Sequence, residues 1–342
     1  MFWGSTFVSS KILLDSFTPI ELLFIRFLIG FLTLCILSPK ILKLENRKDE
    51  IWYILSGLTG VFLYYFIEST ALVYTYATNV GVIISIAPFF TSILAYLCFK
   101  DEPFKMNFVV GFIVAFIGIF FISFNGQQMH LSPKGDILTI VAAIMWAIYS
   151  VVLKKVNELG HTSIQNTKRI FAWGLFFMTI SLPILGFDVS MDEILIPLNL
   201  LNLLFLGVVA CAGCFVIWNY SCSILGSVRT NQYVYLNSIA TIIFSVIILH
   251  EKITPCIVLG TILTLFCNLA IFNILIHIDH RLFFRNIYGQ NSFIFYTTFT
   301  PTNRYGSCRI PNGNGPEGSI AVNGIPFPLA FSFKTETRTT SL

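Results

Sequence analysis

Long apolar runs separated by short polar breaks set the rhythm of this chain. Runs at about 1–14, 19–38, 51–72, 79–99, 107–124, 136–153, 168–187, 198–219, 230–249 and 255–277 carry few charges. Most approach the roughly 20 residues a helix needs to cross a bilayer. The breaks hold turn residues: Pro19, Ser38-Pro39, Pro103, Ser132-Pro133-Lys134-Gly135, Pro197 and Pro255. The pattern predicts an all-α integral membrane protein of ten transmembrane helices. Its first run is short, because fourteen residues at 1.5 Å each cover about two-thirds of a ~30 Å hydrocarbon core. Helix one is therefore expected to be truncated, with the natural start upstream of Met1. Met1-Phe2-Trp3-Gly4 has no basic region before it and no cleavage site after it, so it does not read as a signal peptide.

Residue spacing adds an internal repeat. Trp3, Lys11 and Arg26 recur as Trp146, Lys154 and Arg169, each 143 residues on, and Pro88 and Asp101 face Ser238 and Glu251 at an offset of 150. Two five-span units are expected, over 1–126 and 134–277. An odd number of spans makes the second unit enter the membrane from the opposite side. Inverted repeats of this kind are characteristic of carriers, whose substrate site lies between the repeats near mid-membrane. Beyond about residue 278 the composition turns to Asn, Thr, Ser, Gly and Pro. Residues 278–342 are expected to form a disordered cytoplasmic tail, or a readthrough or frame-shifted extension without function.

Composition narrows the class of protein. A 56% hydrophobic share, 11% charged residues and a mean hydropathy of +0.80 exclude a water-soluble globule. A net charge of +4 makes no case for a nucleic-acid partner. With the N-terminus cytoplasmic, the inner loops hold Lys40, Lys43, Arg47, Lys48, Lys100, Lys105, Lys154, Lys155, Lys168, Arg169 and Arg229, whereas the outer loops hold little beyond Lys134 and Lys252. That asymmetry follows the positive-inside rule and predicts a multi-pass protein of the cell membrane with both termini cytoplasmic. Lys154, Lys155, Lys168 and Arg169 are then expected to anchor cytoplasmic helix ends. The cysteines lack framework spacing; Cys211 and Cys214 form C-x-x-C with no second pair and read as packing residues.

On these motifs the chain resembles the EamA-type branch of the drug/metabolite transporter superfamily. In the first half the resemblance is carried by Trp3-Gly4-Ser5-Thr6-Phe7, Pro19 with Arg26, Glu68 to Tyr74, and Ala87-Pro88-Phe89-Phe90-Thr91 running to Asp101-Glu102. In the second half it is carried by Gly135-Asp136, Trp146-Ala147-Ile148-Tyr149, Trp218-Asn219-Tyr220 and Tyr233-Val234-Tyr235-Leu236-Asn237, ending at Glu251. It covers roughly residues 1–277 and implies ten helices, a central cavity and alternating access. It also implies carriage of amino acids, related metabolites or drugs. Where the family usually has a proline after the second-half Tyr-x-Tyr-Leu-Asn stretch, this chain has Ser238; Pro88 keeps the corresponding place in the first half and is the candidate hinge.

Charges inside a bilayer need a reason. Glu68 lies well inside the third span and is suited to a substrate amine or a coupling proton; the plainer reading is a carboxylate satisfied by neighbouring hydroxyls, or one reaching the outer interface. Arg26, inside the second span, either holds a substrate carboxylate or snorkels to the interface. Trp3, Trp146, Trp218 and Tyr235 are candidate pocket walls for amphipathic or cationic solutes, or members of interfacial aromatic belts. Asn79 and Asn237 offer uncharged hydrogen bonding to a substrate or between helices, as do Asn219 and Asn231. Gly57, Gly60, Gly111 and Gly118 read as close-packing points. His250-Glu251 begins an H-E-x-x-H zinc motif, but position 254 is Thr, and no phosphate loop or nucleophile elbow is present. The expectation is a carrier, not an enzyme, with no metal and no cofactor. It would export a small polar metabolite with a coupling proton or sodium, among membrane lipid, in a chain suited to homodimerisation. The alternatives are a membrane-embedded enzyme and a non-transporting scaffold.

Overall fold

A computed structural model describes residues 2–40, 42, 44, 46–99, 117, 133–251, 255, 258–263, 308–309 and 319–320. Helices dominate it: α1 Phe2–Leu13, α2 Pro19–Leu37, α3 Arg47–Tyr74, α4 Ala77–Cys98, α5 Pro133–Glu158, α6 Ser163–Leu185, the short α7 Met191–Leu195, α8 Pro197–Leu225 and α9 Ser227–Ile248. Seven of these, α2 to α6 with α8 and α9, are long and apolar enough to cross a membrane. They coincide with seven of the expected spans, and the twelve-residue α1 takes the place of the short first one. The spans expected at 107–124 and 255–277, with Gly111 and Gly118, fall outside the described residues except for isolated positions. So does the tail 278–342, apart from two-residue strands Cys308–Arg309 and Ser319–Ile320, which pair antiparallel.

Local chemistry marks the helix ends. Thr18 precedes α2, Pro19 occupies its first turn, and the Thr18 N–H donates to Glu21 Oε2 at 2.8 Å. The other Glu21 oxygen accepts from the Asp188 N–H at 2.8 Å, so this carboxylate fastens a loop to α2. Gly226, at φ 82°, makes the left-handed turn that ends α8 and admits α9.

Two lines of packing divide the residues. Ile36 and Ile184 are 82% and 81% exposed, and many other large apolar side chains share their outward position, a surface only lipid can cover. Inside, small residues bring backbones together. Gly30 of α2 meets Gly207 and Cys211, and Gly174 of α6 meets Gly57 and Val61. Gly57 and Val61 lie in a π-helical stretch of α3, Gly57–Leu63, and Gly207 and Cys211 in one of α8, Phe205–Cys214. The two crossings correspond: Gly207 and Cys211 follow Gly57 and Val61 by 150 residues. Gly4 packs on Ala240 of α9, and Gly60 on the Tyr149 ring of α5.

Candidate substrate chamber

A small chamber lies where α1, α3, α4, α5 and α9 converge. Its wall is formed by Trp3, Thr6, Phe7, Tyr64, Tyr65, Glu68, Ile84, Ala87, Trp146, Val234 and Asn237. Ala87, Trp146 and Asn237 sit near the middles of their helices, which puts the chamber at mid-span. Its volume, about 30 Å³, accommodates a water or two. Pockets that hold metabolites start at about 300 Å³. The chamber is therefore closed around its own side chains in this conformation.

Five of the eleven wall residues are aromatic. The Trp3 ring centroid is 5.6 Å from that of Trp146 and 5.1 Å from that of Trp218, and Trp146 and Trp218 are 5.4 Å apart. Tyr64 packs on Trp146 at 4.9 Å and on Tyr65 at 4.6 Å, and Phe215 stands behind Trp3, Tyr65 and Trp146. Two indoles are pinned by hydrogen bonds. Trp3 Nε1 donates to the Ala210 carbonyl at 3.3 Å, and Trp146 Nε1 donates to Asn231 Oδ1 at 3.0 Å. The Trp218 Nε1 donor is buried with no acceptor among the described residues.

Two opposite charges are buried here. Glu68 is 2% exposed, and among the described residues its carboxylate makes no hydrogen bond and no ion pair. Arg26 is also 2% exposed, which removes the snorkelling reading. Its Nη1 donates to Ser10 Oγ at 3.2 Å, its guanidinium carbon stands 4.2 Å from the Tyr65 ring centroid, and its Nε has no acceptor among the described residues. The two charges form no ion pair with each other. Hydroxyl neighbours do not satisfy Glu68, since Thr70 Oγ1 donates to the Phe66 carbonyl at 2.6 Å and Ser69 Oγ has no partner.

Of the residues singled out in the sequence, Trp3, Trp146, Glu68 and Asn237 line the chamber. Trp218 stands against Trp3 and Trp146. Arg26 lies behind Tyr65, off the wall. Asn79 is buried off the wall too, its Nδ2 donating to Thr75 Oγ1 at 3.2 Å and its Oδ1 unpartnered. Tyr235 lies in α9, and its side chain is outside the described residues. Pro88 follows a 3₁₀ turn, Ile84–Ile86, inside α4. Asn219 and Asn231 serve helix packing: Asn219 accepts from the Tyr149 hydroxyl and donates to Thr167 Oγ1, both at 2.7 Å, and Asn231 holds Trp146. Lys168, expected as a helix-end anchor, is buried and gives its ammonium to the Ser38 and Lys40 carbonyls at 2.5 and 2.6 Å, closing the end of α2. Arg169 pairs with Glu50 and donates to the Leu42 carbonyl at 2.9 Å. Tyr64, Tyr65 and Phe215 were not picked out in advance; adjacent tyrosines in a lipid-length run look like any other aromatic pair.

Comparison with known proteins places these features in context. The model of the EamA-like transporter family matches residues 1–124 and 133–272. An uncharacterized transporter of Archaeoglobus fulgidus is 29% identical over 280 residues, covering 78% of this chain and 91% of that protein. The uncharacterized transporter YvbV of Bacillus subtilis is 30% identical over 275 residues, covering 76% of this chain and 85% of its own length. A protein of known crystal structure shares the fold with a TM-score of 0.57 at 14% identity, over 78% of this chain and 91% of that one.

Proposed function

The chain belongs to the EamA-like transporter family, and on that premise we propose that it is a secondary carrier working by alternating access between two inverted five-helix units, 1–126 and 134–277. Ten helices are the natural complement of that arrangement. The matched crossings support it: Gly30 on the π-helical stretch of α8 and Gly174 on that of α3 are the same contact made with the roles of the halves exchanged. The substrate is a small polar metabolite, such as an amino acid or a related compound, moved outward across the cell membrane.

One observation carries this reading: a mid-span chamber, walled from both halves, holds a buried carboxylate that has no partner among the described residues. A bilayer-embedded charge left without a partner is costly. It is retained where a solute cation, a proton or sodium supplies the missing partner in turn. Glu68 is the coupling and substrate residue, Trp3 and Trp146 with Trp218 against them shape the apolar part of the site, and Asn237 contributes a neutral hydrogen-bonding group; Asn79, off the wall in this conformation, and Tyr235 would join the site only in another state. Arg26 sets the local field. Pro88, with the adjoining 3₁₀ turn, is the flexure of α4, since a proline removes one ladder hydrogen bond and such turns mark hinges.

The test is a comparison of metabolites inside and outside cells carrying the intact gene, the Glu68→Gln gene or neither, followed by reconstitution with the compounds that differ. Intact and Glu68→Gln cells should differ while membrane levels of the protein match. Identical profiles for all three would leave the scaffold reading in its place.

A further inference from the structure

At one end of the chamber the turn from α3 to α4 is tied down by three other elements. Lys11 of α1 donates to the Leu72 carbonyl and, at 3.1 Å, to that of Thr75. Thr75 Oγ1 bonds Asp136 Oδ1 of α5 at 3.2 Å, and the Lys134 ammonium stands 3.9 Å from the Tyr74 ring centroid. Glu251, just past α9, accepts from the Ala77 N–H at 3.0 Å, the Thr78 N–H at 3.1 Å and the Thr78 hydroxyl. A cation thus closes the carbonyl end of α3 and an anion the N–H end of α4, as the orphan groups and dipoles of helix termini favour.

The source of the α4 cap is informative. Helices α2 and α6 are capped from their own chain, by Glu21 on Thr18 and by Thr162 with Gln165. The residue at the corresponding place before α4 is Tyr76, whose side chain makes no capping bond. The acceptor comes instead from 173 residues away. A local cap travels with its helix in every conformation, but a remote one holds only while two elements are together. The backbone is bent to deliver it: His250 takes φ 53°, a left-handed conformation uncommon outside glycine, and the Glu251 N–H returns to the Ser245 carbonyl at 3.3 Å. The capped end of α4 is about 9 Å along the axis from Ile84 on the chamber wall, at 1.5 Å per residue.

We propose that Glu251 is the latch of a gate: its carboxylate holds the α3–α4 turn against the end of α9, shutting the chamber at that end, and releases Ala77 and Thr78 when that end opens. The inference rests on the carrier reading for its purpose, but its test needs no transported solute. Ala87→Cys puts a thiol on the chamber wall, and its reaction with N-ethylmaleimide is followed by mass spectrometry in nanodiscs, against the same chain without that substitution to subtract the native cysteines. With Glu251 intact the added thiol should react slowly. Glu251→Ala should speed it roughly tenfold or more, the effect of losing charge-assisted hydrogen bonds worth about one decade in an opening equilibrium. Glu251→Gln, which keeps an acceptor oxygen for one N–H, should give a smaller rise. Size-exclusion profiles establish that each variant is folded, and if Glu251→Ala is not, Glu251→Gln decides. An unchanged rate in the folded variants overturns the latch, and leaves the metabolite comparison to judge the carrier.

Discussion

Arg26 and Glu68 share one buried neighbourhood without forming an ion pair: the arginine bonds Ser10 at 3.2 Å and lies over the Tyr65 ring, and the carboxylate faces the chamber. The guanidinium is thus held by groups other than its opposite charge. Removing either charge has unequal consequences, and a double-mutant cycle measures them. Arg26→Met should destabilise the protein in detergent by about 1–3 kcal/mol, because Ser10 Oγ and the Tyr65 ring lose the guanidinium they hold and Glu68 stays buried. Glu68→Gln should be neutral or stabilising, and adding it to Arg26→Met should recover more than about 1 kcal/mol. Additive effects would mean that the two charges are independent. Arg26→Lys should not substitute, since an ammonium cannot stack on Tyr65 as a guanidinium does.

Helix crossings give a sharper contrast within one residue type. A Cβ on Gly60 would stand 2.3 Å from Tyr149 ring carbons, whereas one on Gly213 meets only the Val208 carbonyl, at 3.7 Å. Gly60→Ala should therefore cost about 1–3 kcal/mol by overpacking. Gly213→Ala should leave thermal unfolding unchanged or slightly raise its midpoint. Equal effects at the two positions would contradict the crossing of α3 and α5.

The chain Tyr149–Asn219–Thr167 joins α5, α8 and α6 through two 2.7 Å hydrogen bonds. Asn219→Leu should cost about 1–3 kcal/mol, largely from the orphaned tyrosine hydroxyl. Tyr149→Phe in the same chain should return part of that loss. If the double variant is no better than Asn219→Leu alone, the hydroxyl was not the source.

The left-handed His250 invites a backbone test. Glycine adopts φ 53° without a Cβ penalty, so His250→Gly should be tolerated within about 0.5 kcal/mol. His250→Val, stiff and β-branched, should lower stability by about 1–2 kcal/mol and raise the thiol reactivity of the Ala87→Cys reporter. Tolerance of valine would show that the turn is not left-handed.

Much of this arrangement was legible in the sequence, and the reason it stopped where it did is physical. Spans announce themselves because a bilayer demands a fixed apolar length, and the Trp3 and Trp146 spacing pointed to rings that meet at 5.6 Å. Glu68 stood out because charge in lipid is rare. Facing was not legible. A helix apolar all round carries no stripe to say which side meets protein, so Tyr64 and Tyr65 could not be told from lipid-facing rings, nor Arg26 from a snorkelling one. Partners 70 to 173 residues apart, such as Tyr149 with Asn219 or Thr78 with Glu251, depend on the completed packing. Lys168 belongs with them: its position near a helix end suggested an anchor, but that its ammonium would meet the Ser38 and Lys40 carbonyls 130 and 128 residues away was not legible.

Three of the five tryptophans, Trp3, Trp146 and Trp218, stand within 5.6 Å of one another around the chamber, leaving Trp52 and Trp173 elsewhere. Indoles that close share their excitation and quench one another, so the protein carries an optical reporter at the chamber itself. Once Trp52 and Trp173 are replaced by phenylalanine, the ultraviolet emission of the unlabelled protein becomes the emission of the chamber. Filling it would be read as a change of colour and brightness, and candidate compounds could be screened in a cuvette before any has been shown to move.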